Sequence, residues 1–304
     1  MSNPEGRRRT LAFIALLSGA AAIGFAPIFV RLSDTSPTAS AFWRVALAAP
    51  VLWAWLLATS HSPPLPRGEG PGVRAEETLP PGTLRILILT GLMFACDLGV
   101  WHISLTWTSV ANSTLEANFA PIFVTLGAWL LWRQRPTPLF VLALAITLAG
   151  AMLLIGPNFN AGGRAFIGDA LGVLTAVFYA GYMLSLKAAT GRASTLRIMA
   201  VSTTVTALAL LPYALATAEH FWPQNMQGWL VLAGLALIPH VAGQSLIAWG
   251  FARLPAALSS VSLLLQVVVA ALCAWLLLGE AMQPVQMAGG AIVLAGIYLA
   301  RQAG

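Results

Sequence analysis

Charge is what this chain has least of. Of its 304 residues only 9% are Asp, Glu, Lys or Arg, while 58% are hydrophobic. A soluble domain carries roughly a quarter charged residues, so this surface has too little polarity for water, and lipid is its expected solvent. Cysteine is equally scarce. Cys96 and Cys273 both fall inside apolar runs, which argues against a disulfide framework and reads as small packed side chains. No GxxxxGK[S/T] loop occurs, which excludes an ATP-driven pump within this chain. The four histidines (His61, His102, His220 and His240) form neither HExxH nor any other metal-ligand spacing, and no GxSxG elbow is present. No catalytic group, metal or cofactor is therefore expected.

What is present is a series of long apolar runs. A bilayer crossing needs about 20 mostly apolar residues. Ten segments qualify: 11–32, 39–59, 84–105, 109–132, 138–156, 166–187, 195–216, 228–250, 256–278 and 284–301. Most connections are short. The exception, 61–82, holds six prolines and mixed charge and reads as a flexible polar loop. Arg7-Arg8-Arg9 before an apolar run imitates a signal peptide, but the first segment has a counterpart in the second half and is read as an uncleaved helix. The chain is basic, with 16 Lys and Arg against 10 Asp and Glu. These charges sit in short loops between apolar runs, so membrane orientation rather than nucleic acid explains them. With the N-terminus in the cytoplasm, thirteen basic residues fall inside or at inner ends; only Arg31 and Arg164 fall clearly outside, with Arg44 just within the outer end of span two. That asymmetry places both termini in the cytoplasm. Arg44 is expected to snorkel to the outer interface or to meet Asp34.

The sequence also repeats. Leu126-Gly-Ala-Trp-Leu-Leu131 returns as Leu272-Cys-Ala-Trp-Leu-Leu277, and at that shift of 146 residues 108–155 overlie 254–301 with 14 identities. Span one pairs with span six at a shift of 157, and span three with span eight at 143. Each half then holds five spans, residues 1–156 and 157–304. An odd number forces the second half to enter the membrane upside down relative to the first. The expected fold is all-α and integral to the membrane: ten helices in two inverted five-helix repeats around a central cavity, an architecture of secondary transporters.

Polar side chains inside spans are costly and tend to face a cavity. Spans three and four carry Asp97, Trp101, His102, Asn112, Glu116 and Asn118; spans eight and nine carry His240, Gln244 and Gln266. Asp97 and Trp101 are four apart and share a helix face, and adding 143 gives His240 and Gln244. Gln266 maps onto Ala120, one turn from Glu116. A polar cavity between spans three, four, eight and nine follows. His240 admits two readings, a packed histidine or a cavity residue, and its register match to Asp97 favours the second. Glu116 lies near enough to the outer surface for solvation to be an alternative to a substrate role. Asn112 and Asn118 project differently, so at least one serves as interhelical glue. Tyr179 and Tyr182 on span six either line the cavity or pack. Gly289, Gly290 and Gly296 read as sites of close helix packing.

Ten spans as two repeats with both ends inside resemble the drug/metabolite transporter superfamily, in particular its EamA-type members. Phe42-Trp-Arg44-Val-Ala-Leu-Ala-Ala is similar to the family's opening of span two, Ala252-Arg-Leu-Pro-Ala-Ala-Leu258 to its turn between spans eight and nine, and Leu277-Leu-Gly-Glu280 to the close of span nine. The first-half counterpart, Trp132-Arg-Gln-Arg135, departs from that Gly-Glu pattern. Within the superfamily the chain most resembles YddG-type amino-acid exporters. The resemblance implies a basket-shaped transporter of the bacterial inner membrane that releases aromatic and other neutral amino acids without ATP, as uniporter or linked to protons. A monomer suffices for this, and the oligomeric state stays open. Substrate-binding residues are then Asp97, Trp101, Glu116, Tyr179, Tyr182, His240, Gln244 and Gln266. Trp101 and the two tyrosines suit an apolar side chain, the His240, Gln244 and Gln266 set a carboxylate, and Asp97 or Glu116 an ammonium. Alternatives are a drug or nucleotide-sugar carrier of the same superfamily, disfavoured by the lack of basic residues expected mid-span, a polytopic membrane enzyme, and a channel.

Overall fold

The computed structural model describes residues 4–60, 79–104, 107, 116–155, 165–279 and 281–303. Asn112, Glu280, Arg164 and most of the 61–82 loop lie outside them. Among the described residues nine helices are long and apolar enough to cross a bilayer, and Ala120–Trp132 is a shorter apolar one. At 1.5 Å per residue its 13 residues rise about 20 Å, short of the roughly 30 Å hydrocarbon core. Glu116 and Ala117 just before it are also helical, so span four begins ahead of Ala120. The two chain ends settle the parity: Arg301, near the end of span ten, places its guanidinium over the ring of Phe13 in span one, 4.8 Å from the centroid. Both ends lie on one face, which requires an even number of crossings.

The spans are Pro4–Gly24 with Ala26–Leu32, Pro37–Ser60, Thr83–Ser104, Ala120–Trp132 with its preceding turn, Pro138–Ile155, Ala165–Ala189, Thr195–Thr217, Met226–Phe251, Ala256–Leu278 and Pro284–Ala303. Span one packs on spans eight and nine, span six on spans three and four, span two on span seven, and span five on span ten. Exchanging the halves turns each of these pairings into another member of the set or into itself. That is what a two-fold relation between five-helix halves requires.

Glycines set the closest approach. A Cβ on Gly150 of span five would lie 2.7 Å from the backbone nitrogen of Val293, and one on Gly289 of span ten 2.8 Å from the carbonyl of Gly150. Spans five and ten thus meet backbone to backbone, as the glycine pattern predicts. Several interior hydroxyls bond within their own helices: Thr125, Thr147, Ser202 and Thr206 each donate to the carbonyl four residues back. The repeated Ala-Trp-Leu-Leu motif faces outward. Leu130 is 79% and Leu276 69% exposed, with Trp129 and Trp275 partly so, which makes the echo a lipid-facing band anchored by buried Ala128.

Three spans are broken. Span one turns at Phe25, just before Pro27. Span four turns at Asn118–Phe119 and span nine at Leu263–Leu264, where bonds such as Phe119 N–H to the Glu116 carbonyl and Gln266 N–H to the Leu263 carbonyl tighten to i→i+3 spacing. These two breaks lie within one residue of equivalent repeat positions. Span eight is continuous but widens into a π-helix over Ala236–Gln244, around Pro239.

Candidate functional site

The broken and widened helices surround one cavity of about 240 Å³. Span one gives it Gly24 and Pro27 from its break, and span four Ala117 and Asn118 from its own. Span nine contributes Gln266, two residues beyond its break, and span eight Gln244, the last residue of the π-helix. Irregular backbone at membrane depth is tolerated only where it lines such a space or is buried in protein. π-bulges likewise recur at functional sites.

Five of the eight residues expected at the site line this cavity: Asp97 and Trp101 on span three, Tyr179 on span six, Gln244 and Gln266. Tyr182 lies one layer behind. Its ring stacks on Tyr179 at 6.0 Å, and its hydroxyl donates to Gln244 Oε1 at 3.0 Å, fixing the glutamine's orientation. His240 does not line the cavity. It is 1% exposed, with Nε2 and Thr203 Oγ1 2.9 Å apart, and its ring lies 5.8 Å from Phe94, itself a wall of the cavity. Its Nδ1 is buried with no hydrogen-bond partner.

Glu116 stands apart from this group. The turn at Asn118–Phe119 separates it from Ala120, and it presses on Gly172 of span six and shares a hydrogen bond with Asp169. The face shared with Gln266 in the repeat register is therefore not one continuous helical face in the structure. Asn118 reaches the cavity, while His102 bonds its Nδ1 to the Leu98 carbonyl at 2.6 Å.

Arg44 corrects the sequence reading. It neither snorkels outward nor meets Asp34; it lines the cavity, where its charge acts on Asp97 and Tyr179. Asp34 is engaged elsewhere, accepting from the Gln224 backbone N–H at 2.9 Å. Span two starts at Pro37, so Arg44 sits seven residues deep, about 10 Å along the helix. Nε of Arg44 is buried without a hydrogen-bond partner. The expectation of no basic residue mid-span is revised with it, to one arginine facing the cavity. One sequence signal pointed this way: Phe42-Trp43-Arg44 is the portion of span two that resembles the family. Trp43 is spent on the loop after span seven, donating to the Phe221 carbonyl at 2.8 Å.

The cavity is thus mostly apolar, with one cation, one anion and three amides. Phe94, Trp101 and Tyr179 give it aromatic walls, and Ile23, Val267 and Ala270 aliphatic ones. Its charges balance, so an ion of one sign gains attraction from one wall and repulsion from the other. Among the described residues no cluster of three His, Cys, Asp or Glu is placed to hold a metal ion.

Comparison with known proteins gives a consistent family assignment. The sequence pattern of the EamA-like transporter family matches twice, over residues 10–156 and 166–302. The chain is 26% identical over 218 residues to the pseudopaline exporter CntI of Pseudomonas aeruginosa, covering 71% of this chain and 75% of that one. It is 28% identical over 223 residues to a probable terminal-alkyne amino-acid exporter of Streptantibioticus cattleyicolor, covering 71% and 73%. One solved crystal structure superposes with a TM-score of 0.74 over 98% of this chain and 99% of the other, at 18% identity, which carries the fold alone.

Proposed function

We propose that this chain, which belongs to the EamA-like transporter family, exports small amino acids and holds them as zwitterions between Arg44 and Asp97. The observation that carries this reading is the presence of both opposite charges in one small, mostly apolar cavity. A guanidinium suits a carboxylate through paired N–H donors, and a carboxylate accepts from an ammonium. The carboxylate role first given to His240, Gln244 and Gln266 then passes to Arg44, with the two glutamines and Asn118 as neutral partners. Trp101, Tyr179 and Phe94 receive the substrate's side chain, including by aromatic stacking.

Size sorts the alternatives. Pockets for drug-sized ligands run from about 300 to 1,000 Å³, and this one measures about 240 Å³. An amino acid suits that volume better than a nucleotide sugar. A phosphate dianion would also meet Asp97 opposite the single arginine. The two relatives described above are exporters, one of them of amino acids, and this supports an outward direction.

Transport proceeds by alternating access, the halves 1–156 and 157–304 rocking about the cavity. The chain sits in the bacterial inner membrane with both ends in the cytoplasm, as the distribution of basic residues favours. The test is counterflow into proteoliposomes with a panel of labelled amino acids. Saturable uptake accelerated by unlabelled amino acid inside supports the reading, and flux without saturation or exchange sinks it.

A further inference from the structure

A second, smaller pocket of about 160 Å³ lies at the face that carries both chain ends. Three arginines from segments far apart in sequence converge on it: Arg9 at the start of span one, Arg253 in the turn between spans eight and nine, and Arg301 near the end of span ten. Its apolar side is made by Phe13, Leu254 and Leu258. Among the described residues no acidic side chain lines it. Glu5, one turn before Arg9, is not part of it.

The arginines are held in place. Arg301 lies over the ring of Phe13, 4.8 Å from its centroid, and Arg253 over Trp249 at 3.9 Å. Arg253 Nη1 also donates to the Trp249 carbonyl at 2.9 Å. Partial burial, and then the nearby charge of Arg8, pull the Arg253 guanidinium below its ordinary value. Cations gathered without a counter-charge repel one another, and a bound anion removes that repulsion.

We infer that this pocket binds the phosphodiester headgroup of an anionic phospholipid, with Arg9, Arg253 and Arg301 on the phosphate and Phe13, Leu254 and Leu258 against the lipid's glycerol and upper acyl region. The site stands at the ends of three spans, where hydrocarbon gives way to headgroups, and basic pockets between helices at that depth suit anionic lipid. A free phosphate would use the arginines but not the apolar wall, so the lipid is favoured. The bound lipid would join spans one and ten to the turn after span eight. That turn is already tied to span six, because Lys187 Nζ donates to the carbonyls of Phe251 at 2.6 Å and Leu254 at 2.8 Å. The site therefore lies on a junction between the two halves, although its occupancy does not depend on which substrate is carried.

Thermal unfolding of the purified full chain in a neutral detergent, titrated with dioleoylphosphatidylglycerol, tests this. The Tm is expected to rise with that lipid and to stay unchanged with dioleoylphosphatidylcholine or inorganic phosphate. Each of Arg9→Gln, Arg253→Gln and Arg301→Gln should shift the midpoint of the titration about fivefold to higher lipid. Arg85→Gln, an exposed arginine outside the pocket, should leave it in place. Arg253→Gln also removes a bond to the backbone, so should that variant fail to fold, Arg9→Gln and Arg301→Gln carry the comparison. An equal Tm rise with phosphatidylcholine or inorganic phosphate overturns the assignment. So does a pocket variant that responds as the wild type does, or an Arg85→Gln variant that loses the response equally.

Discussion

Arg44 is the residue on which the substrate reading turns. A lone guanidinium within a membrane domain is costly, and here it faces a cavity shared with Asp97. Charge-assisted hydrogen bonds contribute about 1.5–3 kcal/mol each, so Arg44→Gln should raise the substrate KM at least about tenfold in proteoliposome flux. Asp97→Asn should do the same, and expression and Tm serve as controls for folding. Tyr182→Phe removes the hydroxyl that holds Gln244. Its cost should be smaller, a few-fold in KM, because a neutral hydrogen bond contributes only about 0.5–1.5 kcal/mol. The placement of Asp97, Trp101, Gln244 and Gln266 at a cavity was legible in the sequence because intramembrane polar and amphipathic residues stand out and the repeat register groups them, whereas for Tyr179 the sequence left lining and packing equally open. Arg44 was not, since a cation a few residues from a span end reads as interfacial until the helix start and its facing side are known. Nor was the placement of Glu116, because the turn at Asn118–Phe119 cancels a periodicity argument that assumes an unbroken helix.

Among the elements, the most closely packed pair is also the most open to prediction. Gly150→Ala puts a methyl group 2.7 Å from the Val293 nitrogen and 2.9 Å from the Gly289 carbonyl, both backbone atoms that cannot turn aside. Overpacking of this kind costs about 1–3 kcal/mol, and a lowered Tm in detergent is the expected result. Span existence was readable from apolar length, and boundaries fell within a few residues for most helices. The π-helix over Ala236–Gln244 and the break at Leu263–Leu264 were not readable. Pro239 sits inside a long apolar run without ending it, and Leu263–Leu264 carries no glycine or proline to mark a turn. Both depend on tertiary packing around the cavity. On the opposite side of the molecule from the chain ends, the loops after spans one and seven are joined reciprocally: Ser36 N–H donates to the His220 carbonyl at 2.9 Å, and His220 N–H donates to Ser36 Oγ at 2.9 Å.

At the scale of the whole molecule, the principal contacts among spans are kept when the halves are exchanged, yet the residues filling equivalent positions differ. Asp97 lines the cavity whereas His240, its repeat counterpart, is packed behind Phe94 with Thr203. Duplication thus supplies a symmetrical frame, and divergence within it leaves a site with one cation and one anion. On the function proposed above, this site recognises both charges of an amino acid at once. The most direct measurement is counterflow of one transported amino acid, challenged in separate runs with its deaminated acid, its decarboxylated amine and the amino acid itself. Competition by the intact amino acid is expected, and at equal concentration little by either singly charged analogue. Competition by the acid or the amine as strong as that of the amino acid would contradict it.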